Sequence, residues 1–484
     1  MLFNSYFFVF AFLPTALGAF HLLRRESWSR ALAVVSVFSL IFYASWDPRY
    51  LAVLVPSLLI NYWLGERIAR TRSRTWLLTG VAANLAVIGW FKYSLFFYVN
   101  LTGGAEAPEF MRDIALPLGI SFITFQKIAY LIDIWRGHPK AVSFGRFAFF
   151  VLFFPQLIAG PIVLFRNLDR QVGRGPRSNA RYRSLAYFGV TLFAIGLFKK
   201  VVFADGLAYF ADAVFALAAQ PGGAIGARDA WLGALTYSLQ LYFDFSAYSD
   251  MAIGLGAMFG FRLPTNFNSP YRAATIIEFW RRWHMTLSAF FREYVYIPFG
   301  GNRRGAAWQA VFVGVVFLLT GLWHGAGWTF IVWGGLHGLL VLTNHLWARW
   351  TAIRLPRLLT WPATLLAVIC LWVIFRSPGW PVAVKMLSAM TFGAPASAAR
   401  ALNDSLAYTP AWMLTVAIGA IALWMPNSRR LARRLRQGRG LQRRQIAVAP
   451  PPALWLPALV TGALLYFALA SIGSLQSKFI YFNF

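Results

Sequence analysis

Val311-Phe312-Val313-Gly314-Val315-Val316-Phe317-Leu318-Leu319-Thr320-Gly321-Leu322-Trp323-His324-Gly325-Ala326-Gly327-Trp328-Thr329 reads as one pass through a bilayer. The run is long enough to cross a hydrocarbon core about 30 Å thick as an α-helix, and His324 interrupts it. An ionisable side chain at that depth is expensive, so it is a functional candidate by default. A second Trp-His pair, Trp283-His284, lies in different surroundings. It belongs to the arginine-rich stretch Trp280-Arg281-Arg282-Trp283-His284-Met285-Thr286-Leu287-Ser288.

Outward from these pairs, similar apolar runs recur along most of the chain. Its 484 residues are 59% hydrophobic, 18% aromatic and only 13% charged, whereas about a quarter of a soluble domain is charged. Apolar runs this continuous, with no period-2 alternation, exclude a transmembrane barrel. The expected fold class is therefore all-α and polytopic. The net charge of +29 suggests nucleic acid until its distribution is considered. Arginines gather in short loops, at 24–25, 67–74, 136–146, 166–183, 349–357 and 429–444. That pattern is a positive-inside bias and points to the lipid bilayer as partner, with no nucleic acid. Cys370, the one cysteine, cannot form an internal disulfide and reads as a small packing residue. Residues 1–20 lack a basic n-region and read as a first membrane helix, not a cleaved leader.

Expected spans lie at about 2–22, 31–47, 50–66, 76–99, 114–134, 184–203, 229–260, 307–323, 326–346, 358–375, 411–426 and 453–472, giving about 11–12 crossings. The run 147–165 has basic loops on both sides and contains Pro155 and Gly160-Pro161. Broken backbone at membrane depth must be buried in protein or line a cavity, which makes this segment re-entrant. Region 262–305 is too polar to cross and too aromatic to be a free linker. It predicts amphipathic and re-entrant helices on the cytoplasmic surface. One integral-membrane domain, 1–484, is expected around a central tunnel. Its catalytic core spans about 114–346, and helices with an aromatic tail follow over 358–484.

Polar residues concentrate between 240 and 338. Gln240-Leu241-Tyr242-Phe243-Asp244-Phe245-Ser246-Ala247-Tyr248-Ser249-Asp250-Met251 places acids, serines and tyrosines inside an expected helix. Asp244 and Asp250 are six apart and do not share a face closely, so they do not form a catalytic carboxylate pair. Each either pairs with an arginine, caps a broken helix or lines the tunnel. Asp244, Ser246, Tyr248, Asp250, Trp323 and Asn302 are the tunnel-lining candidates. His337 and His345 share a helix face but have no Cys, Asp or Glu at ligand spacing, and no metal site is expected. His21 and His138 sit at segment ends, in interfacial positions.

Phe279-Trp280-Arg281-Arg282-Trp283-His284-Met285-Thr286-Leu287-Ser288, followed by Tyr294-Val295-Tyr296-Ile297-Pro298-Phe299-Gly300-Gly301-Asn302-Arg303, resembles the membrane-bound O-acyltransferases. The likeness is greatest to the bacterial branch of alginate O-acetyltransferases and D-alanyl-transfer proteins. It runs from Pro117-Leu118-Gly119-Ile120-Ser121-Phe122 onward and is densest over 240–338. The sequence departs from the pattern at Phe290-Phe291-Arg292-Glu293-Tyr294 and at Phe299, and neither change touches a histidine.

The resemblance implies that Trp323-His324-Gly325 carries the catalytic histidine. Acyl transfer from a thioester to a hydroxyl needs a base, and histidine supplies one without large environmental tuning. His284 is the second catalytic candidate, shaping the tunnel or its donor end. The implied donor is acetyl-coenzyme A, as a substrate and not a tightly bound cofactor. Arg281, Arg282, Arg292, Arg303 and Arg304 are candidates for its phosphates, because arginine's planar fork suits them. Phe479-Ile480-Tyr481-Phe482-Asn483-Phe484 resembles the branch's aromatic-tyrosine motif, which makes Tyr481 an acyl-relay candidate. An interfacial tyrosine in an aromatic belt is the alternative. The implied setting is a bacterial inner membrane. There, acetyl groups pass to an extracytoplasmic esterase-like acetyltransferase partner and, through it, to a polysaccharide, alginate-like or another exopolysaccharide. A transporter or flippase, or a non-catalytic subunit of a polysaccharide secretion complex, would also explain the arginines, broken helices and buried acids.

Overall fold

The computed structural model describes residues 1–138, 142–175, 178–393, 408–441, 452–473 and 479–480, and every regular element among them is helical. Among the described residues, five helical stretches are long and apolar enough to cross a membrane: Pro48–Thr71, Arg74–Leu101, Asn179–Ala219, Ala306–His324 and Arg357–Arg376. Thr409–Trp424 with Ser428–Arg436, bent by 65° between them, makes a sixth if taken as one span. The chain is thus an all-α polytopic membrane protein. The other expected spans are also helices, but shorter or more polar. Ile120–Trp135 has 16 residues, and the 32-residue Ala227–Met258 contains Asp229, Asp244 and Asp250. Both are largely buried. Hydropathy understates helices of this kind because protein, not lipid, surrounds their polar groups.

One element runs beyond its expected end, and another was not expected. The span expected at 184–203 belongs to a helical stretch of 41 residues reaching Ala219, with a π-helical turn at Lys199–Ala204. Trp380–Phe392 forms a helix where none was expected. Its Lys385 and paired prolines on either side of Trp380 had hidden the apolar pattern.

The chain divides into two compact units, each assembled from separate stretches. The first holds Met1–Leu197, Tyr248–Thr265 and Ala432–Leu469. Within it the expected re-entrant segment is broken three ways, into Phe144–Leu152, Phe154–Leu157 and Phe165–Gly173. Residues 147–163 are buried without exception, which is the condition for tolerating broken backbone in lipid. Ser39 Oγ accepts the Phe154 N–H at 3.1 Å and satisfies one donor freed at the break. Phe3, Phe8, Phe42 and Phe154 pack ring on ring around it.

The second unit holds Phe198–Ala247, Asn266–Leu431 and Ala470–Phe484. It contains the hairpin of Ala306–His324 and Trp328–Trp350, joined through Gly325-Ala326-Gly327. Gly321 and Gly334 make the crossing close. A Cβ on Gly321 would lie 2.3 Å from the Phe330 carbonyl oxygen, and one on Gly334 would lie 2.3 Å from that of Phe317. Small residues let the two backbones touch, as membrane helix pairs commonly require. The contact fixes His324 at the end of its helix. Region 266–305 forms short pieces, Ile276–Trp280, Met285–Phe291 and a π-helical turn at Arg292–Tyr296. The first is capped by Thr275 Oγ1, which accepts the Glu278 N–H at 3.1 Å.

Candidate active site

His324 is the last residue of its helix and only 3% exposed. Its Nδ1 lies 2.6 Å from the Thr320 carbonyl oxygen. A carbonyl can only accept, so Nδ1 carries the proton of the neutral ring and Nε2 keeps its lone pair. That is the tautomer a general base needs. Aromatic rings enclose the imidazole: Trp323 at 4.8 Å, Trp333 at 5.0 Å and Phe375 at 5.5 Å between centroids.

His284 reaches the same cluster from the other Trp-His pair, with Trp323 between the two imidazoles, 5.7 Å from the His284 ring. The His284 backbone is left-handed, at φ 40°. This conformation is uncommon outside glycine, although histidine is among the residues that adopt it more readily. Two backbone hydrogen bonds hold the bend: Asn268 N–H to the Arg282 carbonyl and Met285 N–H to that of Asn266, both 2.9 Å. Asn266 Oδ1 accepts the Thr286 N–H at 3.3 Å, which identifies it as the amide oxygen. It therefore also accepts from His284 Nδ1, at 3.1 Å. His284 is thus set in the same tautomer as His324, and Phe245 packs against it at 4.7 Å. Strain of this kind costs about 1–3 kcal/mol and persists only where the surroundings impose it.

Two cavities flank the hairpin within the second unit. One, of about 550 Å³, is lined among others by Arg281, Arg292, Ser288, Tyr296, Thr320 and His345. The other, of about 860 Å³, is lined by Tyr237, Gln240, Ala326, Trp328, Phe375 and Ile480 among others. His324 lies between Thr320 on one wall and Ala326 on the other but belongs to neither lining. Phe375 packs against its ring and also lines the larger cavity. At the larger cavity's rim, Arg376 pairs with Asp212 at 2.7 Å.

The remaining sequence candidates separate clearly. Of the five arginines, Arg281 and Arg292 line the smaller cavity. Arg282 instead pairs with Glu278 at 2.6 Å, one helical turn away. Burial alone would raise the Glu278 carboxyl, but the Ala274 N–H and the Arg282 guanidinium outweigh it and hold the group below its ordinary range. Arg303, Arg304 and Asn302 occupy the exposed turn after Tyr296, outside both cavities. Trp323 touches both histidines as described. Ser246 is buried and bonds back to the Phe243 carbonyl, its hydroxyl being used locally within the helix. Tyr248 and Asp250 belong to the first unit, where Tyr248 stacks on Phe3 at 4.8 Å. None of Ser246, Tyr248, Asp250 and Asn302 lines either cavity. Tyr481 lies outside the described residues.

Asp244 is buried and its Oδ1 meets Lys200 Nζ at 2.8 Å, while the same ammonium lies 2.6 Å from Asp205 Oδ1. The sequence marks Asp244 as a tunnel residue, an arginine partner or a cap to a broken helix, and does not mark Lys200 or Asp205. The missed signal was a lysine in an apolar span, which membrane energetics alone makes conspicuous. His337 accepts the Trp280 indole N–H through Nδ1 at 3.3 Å. Among the described residues no group of His, Cys, Asp or Glu could hold a metal ion.

The model of the membrane-bound O-acyltransferase family matches residues 80–378 of this chain. The chain belongs to that family and is an O-acyltransferase. It is 41% identical over 424 residues to the peptidoglycan O-acetyltransferase of Helicobacter pylori, covering 81% of this chain and 80% of that protein. It is 43% identical over 405 residues to a probable alginate O-acetylase of Pseudomonas aeruginosa, covering 81% and 75% respectively. A teichoic acid D-alanyltransferase of Lacticaseibacillus rhamnosus is 29% identical over 370 residues, covering 72% and 87%.

Proposed function

We propose that this chain is an O-acetyltransferase of a bacterial inner membrane that passes acetyl groups outward for O-acetylation of an extracytoplasmic polysaccharide. One observation carries the reading. His324 presents a buried imidazole with its proton fixed on Nδ1, between a cavity with two arginines and a second cavity on the far side. Acetyl-coenzyme A is the donor, entering from the cytoplasm, with Arg281 and Arg292 taking its phosphates. His324 Nε2 removes the proton from an acceptor hydroxyl as that oxygen attacks the thioester carbonyl. The carbon–sulfur bond breaks, and the thiolate recovers the proton from the imidazolium. His284 holds Trp323, and with it the geometry around His324.

Tyr481 serves as the first acceptor, its phenol being more acidic than a sugar hydroxyl. An extracytoplasmic esterase-like partner then moves the acetyl group to the polymer. The relatives named for alginate and peptidoglycan support acetyl transfer to a polysaccharide.

The test is mass spectrometry of the peptide carrying Tyr481 after incubation with acetyl-coenzyme A, comparing wild type, His324→Ala and Tyr481→Phe, with free coenzyme A measured in parallel. An adduct present only in wild type is expected. Unimpaired thioester cleavage by His324→Ala would remove the proposed base.

A further inference from the structure

A third cavity of the second unit, about 980 Å³ in volume, has no histidine in its wall. Its size is at the upper end of the range for ligand pockets, about 300–1,000 Å³. One side is formed by the last turns of Trp328–Trp350, through Asn344 and Trp347 among others. The opposite side is the first turns of the span Arg357–Arg376, where Ala363 and Ala367 leave the space open. Ala274, Thr275 and Ile276 make a third side. The span holds that segment through Trp361 Nε1, which donates to the Tyr271 carbonyl at 2.8 Å, and Thr364 Oγ1, which donates to that of Ala274 at 3.1 Å.

Two guanidiniums, Arg354 and Arg357, belong to this wall, and no carboxylate does. Arg357 spends one N–H on the Arg272 carbonyl at 2.9 Å. Arg354 makes no hydrogen bond or ion pair with any described residue. Glu278, whose carboxyl feels the charge of Arg357, is already paired with Arg282 at 2.6 Å. The hydroxyls of Thr343, Thr351 and Thr364 are likewise used, each donating to a main-chain carbonyl. The cavity is therefore apolar along its helices and cationic at one end, with no internal anion to balance it. Its surroundings decide which anion suits it. Trp350, Ile353, Leu355 and Leu358 are all exposed beside the two arginines. Large apolar side chains next to arginine match the boundary of a bilayer, where aromatic residues anchor and cations meet headgroups. They are poor company for a fully hydrated phosphate ion. Basic pockets between membrane helices are a known form of lipid-headgroup site.

We infer that this cavity holds one anionic phospholipid. Arg354 and Arg357 take its phosphodiester, Asn344 offers its amide to the ester oxygens, and an acyl chain lies against Ala363 and Ala367. A zwitterionic lipid fits less well, because its own cation has no carboxylate in the wall to meet.

The test uses full-length protein in detergent, with bound lipids counted by native mass spectrometry. Dioleoylphosphatidylglycerol and dioleoylphosphatidylcholine share chains and phosphate and differ in net charge. Wild type should retain one tightly bound copy of the first in preference to the second. Arg354→Gln should reduce that preference about fivefold, the scale of one basic residue at an anionic membrane surface. Arg349→Gln removes the same charge nearby but outside the cavity wall, and should keep the preference. Ala363→Phe leaves every charge in place, fills the space for the chain and should weaken both lipids. Arg354 has no described partner and Ala363 is exposed, so both variants should unfold at the wild-type temperature in lipid-free detergent, which separates lost binding from lost fold. Equal losses in Arg349→Gln and Arg354→Gln would reduce the effect to general surface charge and overturn the inference. Undiminished binding in Ala363→Phe would overturn it as well. So would displacement of phosphatidylglycerol by inorganic phosphate, which would make the arginines a site for a free anion. None of these measurements involves acetyl-coenzyme A, so their failure leaves the reading of His324 untouched.

Discussion

His324 and His337 sit on consecutive helices, are both buried, and share Trp333 as a neighbour at 5.0 and 4.8 Å. Yet their protons are on opposite nitrogens. His324 gives its Nδ1 proton to a main-chain carbonyl, which leaves Nε2 able to accept one. His337 receives an indole N–H on Nδ1, so its Nε2 carries the proton, with no hydrogen-bond partner among the described residues. Burial and aromatic surroundings therefore do not make a base here. On the reading proposed for His324, what separates the two rings is one hydrogen bond to the preceding turn, because it decides which nitrogen carries the proton. The first ring is equipped for proton transfer, and the second is a strut between Trp280 and the hairpin.

The largest effect should come from separating those roles. His324→Ala should lower coenzyme A release by about 10²–10⁴-fold, the usual contribution of a positioned base, well beyond what the lost packing of its buried ring would cause. His337→Ala should do the reverse. It opens a cavity and strands the Trp280 donor, costing about 2–4 kcal/mol of stability, seen as a lowered unfolding transition in detergent. Equal catalytic loss in both variants at intact fold would end the distinction. Next in size is the donor side. Arg281→Ala and Arg292→Ala should each raise the KM for acetyl-coenzyme A about tenfold or more with kcat held, the pattern of lost ground-state binding. A fall in kcat at constant KM would show instead that the smaller cavity is not where the phosphates dock.

The sequence made the helices legible, because twenty apolar residues in a row have few other uses, and it singled out His324 for the same reason. The extra helix Trp380–Phe392 and the continuation to Ala219 were hidden by short apolar patterns with lysine or aspartate in them. Inside the site, spacing could show that Tyr237, Gln240 and Asp244 share a face, but not what faces them. Lys200 and Asp205 share one long helical stretch, but Asp244 and Ile480 come from another helix and a distant segment, and no local pattern announces such a meeting. Asn266, which sets the His284 tautomer, has no sequence signal at all. The choice of nitrogen on His324 and His337 is likewise a matter of ångströms within one turn.

The smallest effects belong to the exposed turn after Tyr296, and there the contrast between chemistry and framework can be drawn among arginines. Gly300 and Gly301 have positive φ, and the Arg304 stem packs against Gly300 while its guanidinium lies 5.8 Å from the Trp308 ring centroid. Arg304→Ala should therefore cost about 0.5–1 kcal/mol, the size of an exposed cation–π contact. Arg303→Ala should stay within about 0.5 kcal/mol of wild type, as surface substitutions usually do. Neither should move the donor KM, because neither residue lines a cavity. Titrating acetyl-coenzyme A against Arg303→Ala beside Arg281→Ala puts the point to measurement. If Arg303→Ala raised KM as much as Arg281→Ala, the phosphates would have to reach the turn. The distinction among the arginines would then rest on charge near the membrane surface, not on which side chains the hairpin and its short helices bring to the cavity wall.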